Sequence, residues 1–328
     1  MQSDIIIIGA GPVGLFTAFY AGLRQLSTQI IDSLPEVGGQ PKTLYPEKTI
    51  LDIPAFPKIS GKDLIEQLST QLTQTHPDTR FHLGETATEI EECESGFRVH
   101  TNKNTYEAKA ILLACGNGSF SPRRADIQNL ADYEYRQVHY HVSNYSAYLG
   151  KKVAICGGGD SAFDHALALS AYAEEVYIVH RRPRFRAQEH SVALAEAKEN
   201  IHFLTPYTPQ ALLGEDQSLK TLRLNKARSE ETKDLKCDAV IMAYGFTTNL
   251  GPIKDWGFEI ERNRIKVDEK LRTNRPGIFA LGDLVSYPGK AQLIVSGFGE
   301  APTAVNAAFQ YIYPEKHLSP LHSTDLDI

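Results

Sequence analysis

The feature that most constrains this chain is a strand, glycine turn and helix pattern that occurs twice. It reads Asp4-Ile-Ile-Ile-Ile-Gly-Ala-Gly-Pro-Val-Gly14 the first time and Lys152-Val-Ala-Ile-Cys-Gly-Gly-Gly-Asp-Ser-Ala162 the second. Each copy leads from an apolar strand into an apolar-faced helix, the arrangement that cradles a dinucleotide pyrophosphate. The first glycine permits the tight turn, the second lets the backbone approach the pyrophosphate, and the third position must be small so that helix and strand pack closely. Gly9, Gly11 and Gly14 hold these positions in the first copy, and Gly157, Gly159 and Ala162 in the second. Phosphates then sit at a helix N-terminus, where free N–H groups and the helix dipole favour an anion. Two nucleotide-binding units are expected.

The end of the next strand separates the two units chemically. Asp32 lies 23 residues after Gly9 and closes a strand at 29–31, where an acid accepts hydrogen bonds from ribose hydroxyls. The first unit therefore expects an unphosphorylated adenosine ribose. The same count from Gly157 reaches His180, which heads His180-Arg-Arg-Pro-Arg-Phe-Arg186. Arginine forks bind phosphate bidentately, so His180, Arg181, Arg182 and Arg186 predict a 2′-phosphate, as in NADPH.

The chain's 328 residues, 42% of them hydrophobic, allow roughly two domains of ~150 residues. A formal net charge of -6 offers no general attraction to nucleic acid or anionic lipid, so neither is an expected partner. The apolar run Ile5 to Ile8 is far shorter than the ~20 residues of a membrane span, which fits a cytoplasmic-type compartment. The four cysteines are widely spaced, mostly inside apolar runs, and read as buried thiols; no Cys-x-x-Cys occurs.

Between the repeats, a glycine- and proline-bearing loop over 33–57 precedes an amphipathic helix with Leu64, Ile65, Leu68 and Leu72 on one face. Strands at 87–91, 97–101 and 110–114 with hairpin-like turns predict an antiparallel excursion from a parallel sheet. The turn-rich stretches 117–122 and 244–249 read as paired crossovers, and a strand at 277–281 and a helix from about 299 to 311 return to the first pattern. This predicts a split domain, 1–117 with 247–328, holding an inserted domain, 118–246.

With the two glycine motifs, Gly38-Gly-Gln40, Gly282-Asp283 and Gly297-Phe-Gly-Glu-Ala301 in place, nearly the whole chain resembles the thioredoxin-reductase-like flavoproteins. Thioredoxin reductases carry a redox Cys-x-x-Cys just before the second glycine motif. This sequence reads Val138-His-Tyr-His-Val-Ser-Asn-Tyr145 there, so the dithiol is missing. Tyr45-Pro-Glu-Lys48, Gly116-Asn-Gly-Ser-Phe120, Gly297-Phe-Gly-Glu-Ala-Pro-Thr-Ala-Val-Asn306 and Leu321-His-Ser-Thr324 resemble instead the ferredoxin–NADP reductases of thioredoxin-reductase-like type (type 2).

The resemblance implies an α/β fold of thioredoxin-reductase-like architecture, two Rossmann-like dinucleotide-binding domains with three-layer β-β-α character. It further implies FAD in the split domain, NADPH in the inserted one, a homodimer, and a C-terminal tail covering the flavin. Tyr45 and His322 would stack on the two flavin faces, Thr324, Gln40 and Phe120 would touch it, Asp283 would reach a ribityl hydroxyl, and the Ala87 backbone would meet adenine. The expected chemistry is hydride transfer from NADPH to flavin and single-electron transfer to ferredoxin or flavodoxin, with the crossovers as hinges. No general acid or base is demanded. Ser161, Asp164 and His165 lack a nucleophile elbow, and His139 and His141 lack a third metal ligand. The competing readings are a thioredoxin-reductase-like enzyme served by an external dithiol, an FAD- and NADPH-binding redox sensor without turnover, and a flavin-dependent oxygenase, which the covering tail disfavours.

Overall fold

The apolar strand Ser3–Ile8 is buried along its length and sits at the centre of the first sheet. The computed structural model describes residues 2–142 and 144–317. The chain divides into two compact units, Met1–Phe120 with Thr248–Ile328, and Ser121–Thr247. It passes between them through the strands Ser119–Pro122 and Phe246–Asn249, which pair with each other.

In the first unit Ser3–Ile8 lies between Thr28–Asp32 and Thr105–Leu113, parallel to both, and Arg80–Leu83 extends the sheet parallel to Thr28–Asp32. Thr105–Leu113 is long enough to serve two neighbours. Its first half pairs antiparallel with Gly96–Thr101, which continues to Ala87–Cys93, and its second half pairs parallel with Ile278–Ala280. Side chains alternate between the two faces of a strand. Ile5 and Ile7 accordingly pack in one core with Leu15, Leu64, Leu72 and Ala304 of the helices Pro12–Leu23, Gly61–Thr75 and Ile294–Ile312. Ile6 and Ile8 face the other way, toward Val99, Trp256 and Leu284.

The second unit repeats the arrangement. Its parallel sheet runs Val138–His139, Ala239–Met242, Lys152–Cys156, Glu175–Val179, Ile201–Leu204. Val153 and Ile155 pack with Phe163 and Ala166 of the helix Asp160–Leu169. Ala154 and Cys156 pack with Leu212, Leu222 and Leu224 of an antiparallel sheet, Tyr207–Glu215, Ser218–Lys226 and Thr232–Lys236. A helix layer, a parallel sheet and an antiparallel sheet give the three-layer β-β-α character directly.

Local chemistry explains the element boundaries. Ser60 caps Gly61–Thr75 by accepting the Asp63 N–H at 3.0 Å, a contact worth about 1 kcal/mol. Within the predicted loop over 33–57 the structure forms the short helix Gly39–Leu44. The last helix starts at Ile294, five residues before the expected 299, because Gly297, Gly299 and Pro302 lie inside it. Helix propensity argues against those residues. Packing overrides it: a Cβ on Gly297 would lie 2.4 Å from Val13 Cγ2.

Three distant parts of the first unit meet at Asp4. Its Oδ1 accepts Lys109 Nζ and the Tyr313 hydroxyl, both at 2.8 Å, and its Oδ2 accepts the Ser27 N–H at 3.0 Å and hydroxyl at 2.8 Å. Burial pushes the carboxyl up, but the bonds from Lys109, Ser27 and Tyr313 outweigh it and hold the group at about 2. A folded value below the unfolded 3.8 stabilises the fold fully above about pH 4, and that contribution is lost as pH falls through about 2. Asp4→Asn should therefore unfold more easily than the parent at pH 7 in urea, and the gap should close as the titration is repeated toward pH 2.

Candidate functional site: two clefts at glycine turns

Each unit has a cleft at the carboxyl end of its parallel strands, where the glycine turn enters the helix. In the first, Gly9 has φ +114°, and a Cβ there would lie 2.5 Å from the Ala114 carbonyl oxygen. A Cβ on Gly14 would lie 1.9 Å from the Gly9 carbonyl oxygen, so the helix can start this close to the strand only with glycine at 14. Gly11 is different: a Cβ there meets nothing nearer than Gly39 Cα at 4.0 Å. It borders open space in the cleft, as a position kept clear for a ligand does. The helix begins with Pro12, has no side-chain cap and carries no acid in its first turn, so its amino end presents N–H donors to an anion.

Asp32 stands beside this turn. Its Oδ2 accepts the Ala10 N–H at 2.6 Å and its Oδ1 the Leu34 N–H at 2.8 Å. Burial pushes its carboxyl above the usual range against the pull of those two bonds. Each oxygen retains a lone pair for a further donor.

Gly9, Gly11, Asp32, Gln40, Tyr45, Ala87 and Asp283 all line this cleft. Gly14 does not, which agrees with its packing task. Tyr45 follows the short helix Gly39–Leu44, and its phenol is pushed up to about 12 by burial and by the Asp283 and Asp52 carboxylates. Asp283 sits in the turn Gly282–Leu284; burial raises its carboxyl, Lys290 and Arg264 draw it down, and Glu300 raises it. His322 and Thr324, and the side chain of Phe120, lie outside the described residues.

The cleft also contains residues that sequence reasoning missed. Glu85 is buried and accepts the Thr101 and Tyr106 hydroxyls at 2.7 and 3.0 Å and Asn104 Nδ2 at 3.1 Å. Cys115 lines the same cleft, its thiol pushed up to about 12 by burial. All four cysteines are free. A thiol held that high is not a nucleophile at neutral pH, and no neighbouring cysteine makes it half of a dithiol.

The second cleft uses the same turn with opposite charge. A Cβ on Gly157 would lie 2.6 Å from the Ala243 carbonyl oxygen and 3.2 Å from the Ala162 Cβ, whereas Gly159 borders open space. Gly157, Gly159, His180, Arg181, Arg182 and Arg186 line it together with Arg123 and Arg184. Ala162, like Gly14, lies behind the turn and is fully buried. The side chains of Arg181, Arg182, Arg184 and Arg186 have no hydrogen bond or ion pair among the described residues.

His180 differs from its neighbours. Burial, then Arg181, Arg186 and Arg182, lower its pKa, so the ring is neutral at pH 7. It packs where a Cβ on Gly158 would come within 2.6 Å, and it shapes the turn without adding charge. Arg184 was visible in the basic string without a distinct signal, and Arg123 lies in a segment remote from that string.

Tyr145 bonds the His165 ring at 3.0 Å, His139 stands edge-on to Tyr148, and no group of three potential metal ligands occurs among the described residues. No helix among them is long and apolar enough to cross a membrane.

Comparison with known proteins agrees with this geometry. A ferredoxin–NADP reductase of Streptococcus mutans is 48% identical over 98% of this chain and 96% of its own. Ferredoxin–NADP reductase 2 of Listeria innocua is 48% identical over 98% and 97%. Among solved structures, thioredoxin reductase of Lactococcus lactis superposes with a TM-score of 0.77 at 26% identity, covering 95% of this chain and 99% of that one. Residues 3–308 match the family described as pyridine nucleotide-disulphide oxidoreductase, and this chain, with its two glycine-turn clefts and no dithiol, belongs to that family of oxidoreductases.

Proposed function

We propose that the chain is an FAD- and NADPH-dependent ferredoxin–NADP reductase, moving electrons between NADPH and ferredoxin or flavodoxin. The observation that carries this reading is the contrast between the clefts: a carboxylate held on backbone donors beside one glycine turn, and beside the other four guanidiniums with no hydrogen-bond or ion-pair partner among the described residues. A carboxylate suits a plain ribose and repels a 2′-phosphate; the guanidiniums do the reverse. The names of the relatives at 48% identity support the same activity.

The residues present fit FAD in the first cleft. Gly11 leaves the space a pyrophosphate needs, and the uncapped helix amino end supplies donors. Asp32 accepts from the ribose, Gly9 and Gly14 hold the turn, the Ala87 backbone meets adenine, and Asp283 takes a ribityl hydroxyl. Gln40, Phe120 and Thr324 contact the ring system, with Tyr45 and His322 on its two faces, where aromatic stacking excludes water. When bound, FAD supplies the conversion between two-electron and one-electron chemistry. In the second cleft Gly157, Gly159 and Ala162 form the turn, His180 shapes it, and Arg181, Arg182 and Arg186 hold the 2′-phosphate. The split unit is thus the FAD-binding domain and the inserted unit the NADPH-binding domain of a cytoplasmic homodimer.

Dithiol chemistry is the main rival, and the free, high-pKa Cys115 gives it no support. A sensor without turnover is the other. Steady-state NADPH oxidation under nitrogen separates them: sustained turnover is expected with ferredoxin or flavodoxin coupled to cytochrome c, and none with thioredoxin. One round of reduction that then stops would point to a sensor.

Replacing Arg181 and Arg182 by alanine should raise KM for NADPH about tenfold or more, as loss of a charge-assisted contact does, and leave NADH nearly unchanged. Equal losses for both nucleotides would remove the 2′-phosphate assignment. Truncation after Leu321 should shift the flavin absorption bands and alter electron transfer at an unchanged melting temperature; an unaltered spectrum would remove His322 from the ring.

A further inference from the structure

Beside the first cleft lies an ion pair that the proposed electron path does not use. Lys290 Nζ and Glu300 Oε1 are in contact, with side chains 3% and 7% exposed. Taking both charges out of water is costly, and replacing such pairs by apolar residues of similar volume is often neutral or stabilising. Stability alone therefore gives no reason for the pair. Its hydrogen bonds do.

Glu300 Oε2 accepts the backbone N–H of Gly282 at 2.7 Å, and Oε1 accepts the Tyr287 hydroxyl at 2.6 Å as well as Lys290. Gly282 has φ +75° and opens the turn that carries Asp283 into the cleft. On the far side of that turn, Arg264 Nε donates to the Asp283 carbonyl oxygen at 3.2 Å. Gly297, one turn before Glu300 on the same helix, lies against this turn: a Cβ there would touch Gly282 Cα at 3.4 Å and clash with Val13 Cγ2 at 2.4 Å. The Gly282–Asp283 segment is thus held at its N–H by Glu300, at its C=O by Arg264, and from one side by the last helix.

We propose that Glu300, itself held by Lys290 and Tyr287, is a positioning residue for the flavin. It fixes the Gly282 N–H so that the Asp283 carboxylate faces the cleft, and Lys290 keeps the buried carboxylate paired and oriented. This rests on the reading of the first cleft as the FAD site.

The test is FAD binding to stripped full-length protein, followed by fluorescence, with the absorption bands and midpoint potential of the reconstituted protein and NADP+ binding as a control. Glu300→Ala should raise the FAD Kd tenfold or more and shift the bands or the potential, with the NADP+ Kd within twofold of the parent. The decisive pair, chosen because Glu300→Ala leaves a buried charge that could unfold the protein, is Lys290→Met with Glu300→Gln against Lys290→Met with Glu300→Leu. Neither carries a buried charge, and only the first keeps an acceptor for Gly282. The glutamine version should hold FAD within about threefold of the parent and the leucine version at least tenfold more weakly. Equal FAD affinities and equal potentials in the two, whatever their melting temperatures, would overturn the proposal. A parent protein that fails to take up FAD would instead overturn the reading of the cleft on which it rests.

Discussion

The two units depend on one steric fact: the strands Ser3–Ile8 and Lys152–Cys156 each pass into a helix through a glycine, Gly9 or Gly157, whose Cβ would lie 2.5 or 2.6 Å from a neighbouring carbonyl oxygen. The 1.9 Å separation that a Gly14 Cβ would have from the Gly9 carbonyl leaves no alternative at that position. The same closeness aims the helix amino end at the carboxyl edge of the sheet. It also brings the end of the neighbouring strand to the turn. Gly9 N–H bonds Ile31 O at 2.8 Å and Gly157 N–H bonds Val179 O at 3.0 Å, so the residues after those strands, Asp32 and His180, arrive beside the glycines in both units. One backbone device thereby places an acid beside the glycines of one unit and a histidine beside those of the other.

What the units share in backbone they oppose in charge. Asp32 is partly buried and held by two N–H donors in the first cleft, whereas Arg181, Arg182, Arg184 and Arg186 stand exposed. An exposed guanidinium remains hydrated until an anion displaces the water, so its cost in the free protein is small. A buried carboxylate must be satisfied at once, and the Ala10 and Leu34 amides do so. The neutral His180 fits this division, since a charged ring packed among arginines would repel them.

The chain belongs to a disulphide oxidoreductase family, and its four cysteines are all free. Cys156 and Cys237 are buried in the core of the second unit, Cys115 is a protonated thiol in the first cleft, and Cys93 lies on a hairpin of the first sheet. The two nucleotide clefts are retained while the intermediate dithiol is not.

The sequence by itself determined the features that depend on residues close along the chain. The glycine spacing, the buried strands at 5–8 and 153–156, Asp32, the arginine string and the Ser60-led helix are all local patterns, because turn sterics and amphipathic periodicity act over a few residues. The tertiary structure decided what depends on distant neighbours. The hairpin at Asp216–Gln217 turns with positive φ on two non-glycine residues, so it carries no glycine signal, and the antiparallel layer it builds was expected from the family resemblance and not from local pattern. The last helix contains Gly297, Gly299 and Pro302, which propensity rejects, and close approach to Val13 requires the first of them. Glu85 and Arg123 reach the clefts from segments whose local patterns are ordinary, and the Lys290–Glu300 pair forms behind the first cleft only when the last helix packs on the Gly282 turn. A buried charge is recognised by its partner and its desolvation, and both exist only once the chain has folded.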